Sequence, residues 1–100
     1  MSEVTKMPAE KLLVVDDEQS MTQFLSIVLR KEGYHVTTVN NGKDALEKAR
    51  SETFDVVITD IKMPGMDGIQ LLTGLKKHDP LLPVVIMTAY ASQQIGRAHV

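Results

Sequence analysis

The sequence predicts an α/β fold, a doubly wound parallel sheet with helices on both faces. Three observations predict it. Short apolar runs rich in valine and isoleucine alternate along the chain with amphipathic stretches of helical period. Turn residues (Gly33, Asn40-Asn41-Gly42, Pro64-Gly65, Pro80) fall between the runs. Several of the runs end in a hydrophilic residue, which places polar groups at the carboxyl edge, where such sheets bind ligands.

The elements follow in order. Lys11–Asp16 (KLLVVD) is a continuous apolar run ending in acid, short and β-branched enough for a buried strand. From Glu18 to Glu32, Met21, Phe24, Leu25, Val28 and Leu29 recur at helical spacing and mark one face of a helix. Ser20 or Asp17 is the expected cap at its start, and Gly33 ends it. His35–Val39 (HVTTV) is a second strand. Lys43–Ser51, with Ala45, Leu46 and Ala49, is a weaker helix. Asp55–Asp60 (DVVITD) is a third strand, again ending in acid. Ile69, Leu72 and Leu75 mark a third helix that stops before Pro80, and Val84–Thr88 (VVIMT) is a fourth strand. Met1 to Glu10 is a polar lead-in expected to fray.

Composition narrows the function classes. One hundred residues allow one domain, and a hydrophobic fraction of 43% supports a small core. A charged fraction of 24% with a net charge of −2 offers no basic patch, so neither nucleic acid nor a membrane surface is an expected partner. There are no cysteines, which excludes disulfides and thiolate metal sites and is compatible with a cytoplasmic location. No apolar run reaches the length of a membrane span, and the first residues lack the apolar core of a signal peptide.

The chemistry lies in the strand ends. The first strand ends at Asp16 with Asp17 next, the third at Asp60 and the fourth at Thr88. If those strands are neighbours, three carboxylates and a hydroxyl converge on one edge. Carboxylates brought together raise one another's pKa, and burial adds to the conflict. A hard divalent cation resolves it, and Mg²⁺ prefers carboxylates, a carbonyl and waters. A carboxylate beside such a cation is a plausible phosphoryl acceptor. Taken singly, Asp16 or Asp17 is as well explained as a helix cap, and Thr88 as an ordinary strand residue.

Three segments carry a family resemblance: VVDDE (Val14–Glu18), DVVITDIKMPGMDG (Asp55–Gly68) and PVVIMTAY (Pro83–Tyr90). Together they resemble the signature segments of bacterial two-component receiver domains, over about Lys11 to Ser92. The resemblance implies a flavodoxin-like sheet of strand order 2-1-3-4, and a phosphorelay function. Asp60 is then the phosphoacceptor. Asp17 is the direct Mg²⁺ ligand, Asp16 acts largely through water, and the backbone carbonyl of Lys62 is the third protein ligand. Thr88 is the switch hydroxyl, and Ala89 leaves room for the phosphoryl group. Lys62 and Tyr90 occupy positions that tune dephosphorylation. The implied partners are a sensor histidine kinase as donor and a C-terminal output domain or partner protein as reader. The wording of the second and third segments leans toward regulators with ATPase and helix-turn-helix modules. The family is a class of signalling phosphoacceptors rather than enzymes.

The family's fifth strand, bearing a Lys followed by Pro, and its fifth helix have no counterpart before Val100. The expectation is an incomplete receiver over residues 11–94, with an exposed fourth strand and a partly uncovered first helix, prone to aggregate. Ile95 to Val100 (IGRAHV) does not continue the helical pattern. It matches the translation of a common sequencing adapter, ATC GGA AGA GCA CAC GTC followed by a stop, so residues 95–100 are expected to be a non-native tail. Gly42-Lys43 is no phosphate loop, because Thr37 stands where the motif needs glycine. His35, His78 and His99 are scattered without metal spacing. Two further function classes compete. One is an interaction module that takes no phosphate, a reading that the Asp16, Asp17, Asp60 and Thr88 set opposes for the parent protein and the missing fifth-strand Lys favours for this chain. The other is a haloacid-dehalogenase-like phosphatase, disfavoured because Asp16-Asp17-Glu18 sets the second carboxylate one place out of register.

Overall fold

A computed structural model describes residues 10–87, and the elements below belong to that span. Four strands alternate with three helices: β1 (Lys11–Val15), α1 (Gln19–Lys31), β2 (His35–Val39), α2 (Gly42–Ser51), β3 (Val56–Asp60), α3 (Gly68–His78) and β4 (Val84–Met87). All pairings are parallel and the sheet order is β2-β1-β3-β4. This is the flavodoxin-like order that the resemblance implies. It puts β1 and β3 at the centre, side by side, with Val15 opposite Thr59. Strand ends Asp16 and Asp60 therefore emerge next to each other. The expectations for residues 1–9 and 88–100, including Thr88, Ala89, Tyr90 and the tail from Ile95, lie outside the described residues.

β1 is buried on both faces, Leu12 to Val15 being at most 4% exposed, as a continuous apolar run at the middle of a parallel sheet should be. On one face Leu13, Val15 and Val57 pack with Ala45 and Ala49 of α2, Leu71 and Leu75 of α3, and Phe54, Met63 and Leu82. Burying each large apolar side chain of this set contributes about 1.5–3 kcal/mol relative to exposure.

The other face carries α1, whose apolar face is partly uncovered, as the sequence predicts. Of its apolar period Leu25 and Leu29 are half-buried, whereas Met21 is exposed. The helix rests on β1 and β2 with Thr22 and Ser26 buried. The small side chains let the helix lie close to the sheet, and Thr22 satisfies its hydroxyl on the carbonyl of Gln19. Phe24 (60%), Ile27 (62%) and Val28 remain exposed, as does Val85 on the edge strand β4.

Local chemistry sets the helix ends. Residue Glu18, not Asp17 or Ser20, is the N-cap of α1, and its side chain makes no capping bond. The Asp16 carboxylate takes that place by accepting the Glu18 N–H at 2.9 Å. At the other end the N–H groups of Gly33 and Tyr34 return to the carbonyls of Arg30 and Leu29, with Gly33 at φ +99°, a glycine-terminated Schellman arrangement. Asn41 caps α2 through Asp44 N–H, and Asp67 and Gln70 form a reciprocal capping box on α3.

Candidate functional site

Two adjacent central strands deliver three carboxylates to one edge. Asp16, Asp17 and Asp60 each present an oxygen such that all three lie within 4.8 Å of one another. Asp16 is buried, Asp60 half-buried and Asp17 exposed. A set of hard oxygen donors graded from interior to solvent suits a partly hydrated Mg²⁺. Lys62, whose carbonyl is the expected third ligand, opens the loop two residues beyond Asp60, and its side chain is exposed.

Hydrogen bonds fix two of the three acids. Asp16 begins where its own N–H is tied to the Val39 carbonyl at 3.2 Å, and its Oδ1 is held by Glu18 N–H. Asp60 sits across from Met87 in the β3–β4 pairing, and its Oδ1 accepts the Ile61 N–H at 2.7 Å. Each residue thus commits Oδ1 to the backbone, and among the described residues neither Oδ2 has a protein donor. The sequence offers Asp16 as a helix cap, and its bond to the Glu18 N–H fits that reading; the Ile61 N–H has no such signal. An acid two residues before a helix is the usual signal of an Asx-type turn, and it was available at Asp16-x-Glu18.

Burial chiefly pushes the Asp16 carboxyl above its ordinary value of 3.8, and the nearby charges of Asp60, Asp17 and Glu18 push the same way. The Glu18 N–H opposes them but does not win. The cluster is therefore electrostatically costly without a cation, which is the chemical argument for one.

The loop from β3 to α3 is tightly closed. It turns at Pro64-Gly65, where Gly65 takes φ +82°, and returns so that Gly68 N–H donates to the Ile61 carbonyl at 2.8 Å. An apolar groove of about 560 Å³ runs along this loop, lined by Ile61, Lys62, Met63, Pro64, Asp67 and Ile69. It contains none of the three clustered acids.

The family model described as the response regulator receiver domain matches residues 12–99. The transcriptional regulatory protein ZraR of Klebsiella oxytoca is 51% identical over 81 residues, which is 81% of this chain and 18% of that protein. This chain thus spans about a fifth of the length of the curated relatives it matches. Among solved structures, response regulator TrrA of Thermotoga maritima in complex with Mg²⁺-BeF superposes with TM-score 0.80 at 37% identity, covering 83% of this chain and 72% of that one. TrrA in complex with the histidine kinase ThkA gives TM-score 0.77 at 38% identity, covering 81% and 70%.

Proposed function

The chain belongs to the response regulator receiver family, signalling modules of two-component systems, and from that premise we propose that Asp60 accepts a phosphoryl group in a Mg²⁺-dependent reaction. The observation that carries the proposal is the convergence of Asp16, Asp17 and Asp60 within 4.8 Å, with Asp16 buried among like charges.

Asp16, Asp17, Asp60 and the carbonyl of Lys62 would hold the ion. When bound, Mg²⁺ supplies charge neutralisation for the phosphoryl oxygens in an in-line transfer. The remaining work belongs to the chain. Ile61 N–H, shared with the Met87 carbonyl, holds Asp60 Oδ1, and Oδ2 is the oxygen proposed as the nucleophile. Oδ2 forms a new O–P bond while the donor's bond to phosphorus breaks, and the leaving group departs with its electron pair. With a phosphohistidine donor, that bond is P–N and the freed imidazole nitrogen takes a proton. Thr88 is proposed as the hydroxyl that contacts the transferred group, and Ala89 as the small residue that leaves it space.

The TrrA complex with ThkA supports a sensor histidine kinase as the physiological donor. The ZraR likeness supports a transcriptional regulator as the parent protein, with an output domain that reads the phosphorylated state. A cytoplasmic setting fits that role. Among the described residues no helix is long and apolar enough to cross a membrane.

The test is incubation of the full chain with Mg²⁺ and a small-molecule phosphodonor, followed by intact mass spectrometry. One hydroxylamine-labile phosphoryl group is expected, absent in Asp60→Asn and absent when Mg²⁺ is chelated. An unchanged label in Asp60→Asn would overturn the assignment.

A further inference from the structure

The loop that carries Lys62 is pressed from the side by α2, and the contact depends on a missing side chain. Gly42, the first residue of α2, is buried against Met66. A Cβ at Gly42 would stand 2.9 Å from both Cβ and Cγ of Met66 and 3.0 Å from its carbonyl oxygen. Real Cβ atoms do not approach so closely, and the obstacle includes the root of the side chain and the backbone. Helix α2 and the loop therefore touch only because position 42 is glycine.

The loop has little means of absorbing a push. Its start and end are joined by the bond from Gly68 N–H to the Ile61 carbonyl, and Asp67, next to Met66, is locked in the capping box of α3. Gly68 itself lies against the Asp60 carbonyl oxygen and the Ile61 Cα so tightly that a side chain there has no room. A displacement at Met66 must then be taken up within the closed segment that holds Lys62 and abuts Asp60.

We propose that Gly42 is a positioning residue for the acidic site, acting through Met66 on the loop that places the Lys62 carbonyl and the Asp60 strand end. The inference rests on the Mg²⁺-site reading above. It gives the start of α2, which supplies no ligand, a role in metal affinity. Groups that orient ligands from behind are worth about 10–100-fold in metal affinity.

The experiment is a calorimetric titration of the full chain with Mg²⁺ alone, paired with a metal-free thermal melt. Gly42→Ala is expected to bind Mg²⁺ about tenfold or more weakly. In a Met66→Gly background, where the two nearest obstacles are gone and only the 3.0 Å approach to the carbonyl oxygen is left, Gly42→Ala is expected to weaken binding clearly less. Gly74→Ala is the control. The nearest atoms to its added Cβ would be the two terminal methyls of the Leu46 side chain at 3.2 Å, with Cγ at 3.8 Å, and wild-type Mg²⁺ affinity is expected. If Gly42→Ala alone fails to melt cooperatively, the double variant carries the test against Met66→Gly. Wild-type affinity in Gly42→Ala, or an equal loss with and without Met66, overturns the proposal. A wild-type chain whose Mg²⁺ binding is indifferent to Asp60→Asn instead overturns the functional reading on which it stands.

Discussion

The two ends of the sheet hold carboxylates in opposite circumstances. At the carboxyl end, Asp16 is buried beside Asp17 and Asp60, and burial with like charge holds its pKa above the ordinary value. At the amino end, Glu52 follows α2 between two cations. Lys48 at 3.0 Å and Lys11 at 3.2 Å draw its pKa below the ordinary 4.5, with Lys48 the larger influence. Lys11 also lies 5.4 Å from the centre of the Phe54 ring, which ties the same cluster to the core. One end supplies its own positive charge. The other collects negative charge among the described residues, which a bound cation would offset. The contrast teaches where the fold holds an unfavourable electrostatic term.

The largest test of the contrast is the cation itself. Mg²⁺ at a hundred times its dissociation constant is expected to stabilise the wild-type chain by about 2.7 kcal/mol, read as a rise in Tm, by mass action on the folded state alone. An equal rise in a variant lacking the Asp cluster would break the comparison. Asp16→Asn comes next. Asparagine keeps an oxygen for the Glu18 N–H and removes the buried charge. Mg²⁺ affinity is expected to fall by about tenfold or more, while the metal-free Tm at neutral pH rises.

The pH dependence sharpens the comparison because the two ends carry opposite signs. Asp16 has a raised folded pKa, so the folded state holds its proton more tightly than the unfolded chain. Its contribution to metal-free stability therefore declines as pH rises from near 3.8 through the folded value. The Tm advantage of Asp16→Asn is expected to shrink toward zero as pH is lowered to about 3. Glu52 has a lowered folded pKa. Its stabilisation is present above 4.5 and is lost as pH falls through the folded value. The smallest effect is Glu52→Gln, a slight loss of Tm at neutral pH that disappears in high salt, because both ion pairs are partly exposed. A loss insensitive to salt would mean that Glu52 acts through α2 packing rather than charge.

Much of this was legible in the sequence. β1 and β3 announce themselves as apolar runs ending in acid, and α/β alternation made them parallel. The Asp16, Asp17 and Asp60 cluster followed once those strands were neighbours. The face of α1 was legible in part. The sequence predicts it partly uncovered, and Met21, Phe24 and Val28 are exposed, but the sheet receives Thr22 and Ser26, because close approach of a helix to a strand rewards small side chains over large ones. A hydrophobic stripe reports which side chains avoid water, not which neighbour is present to cover them. The Gly42–Met66 contact was illegible for a related reason. A packing contact between residues 24 apart, so close that an added Cβ would stand 2.9 Å from Met66, leaves no local pattern, and Asn40-Asn41-Gly42 reads as turn chemistry whether or not anything touches the glycine.

The most direct measurement is binding of beryllium fluoride, a phosphoryl mimic, to the full chain in the presence of Mg²⁺, followed by ¹⁹F NMR. The account predicts a bound signal in the wild type that needs Mg²⁺ and is lost in Asp60→Asn. A bound signal that survives Asp60→Asn, or no bound signal in a folded chain that binds Mg²⁺, would contradict the assignment of Asp60 as the phosphoacceptor.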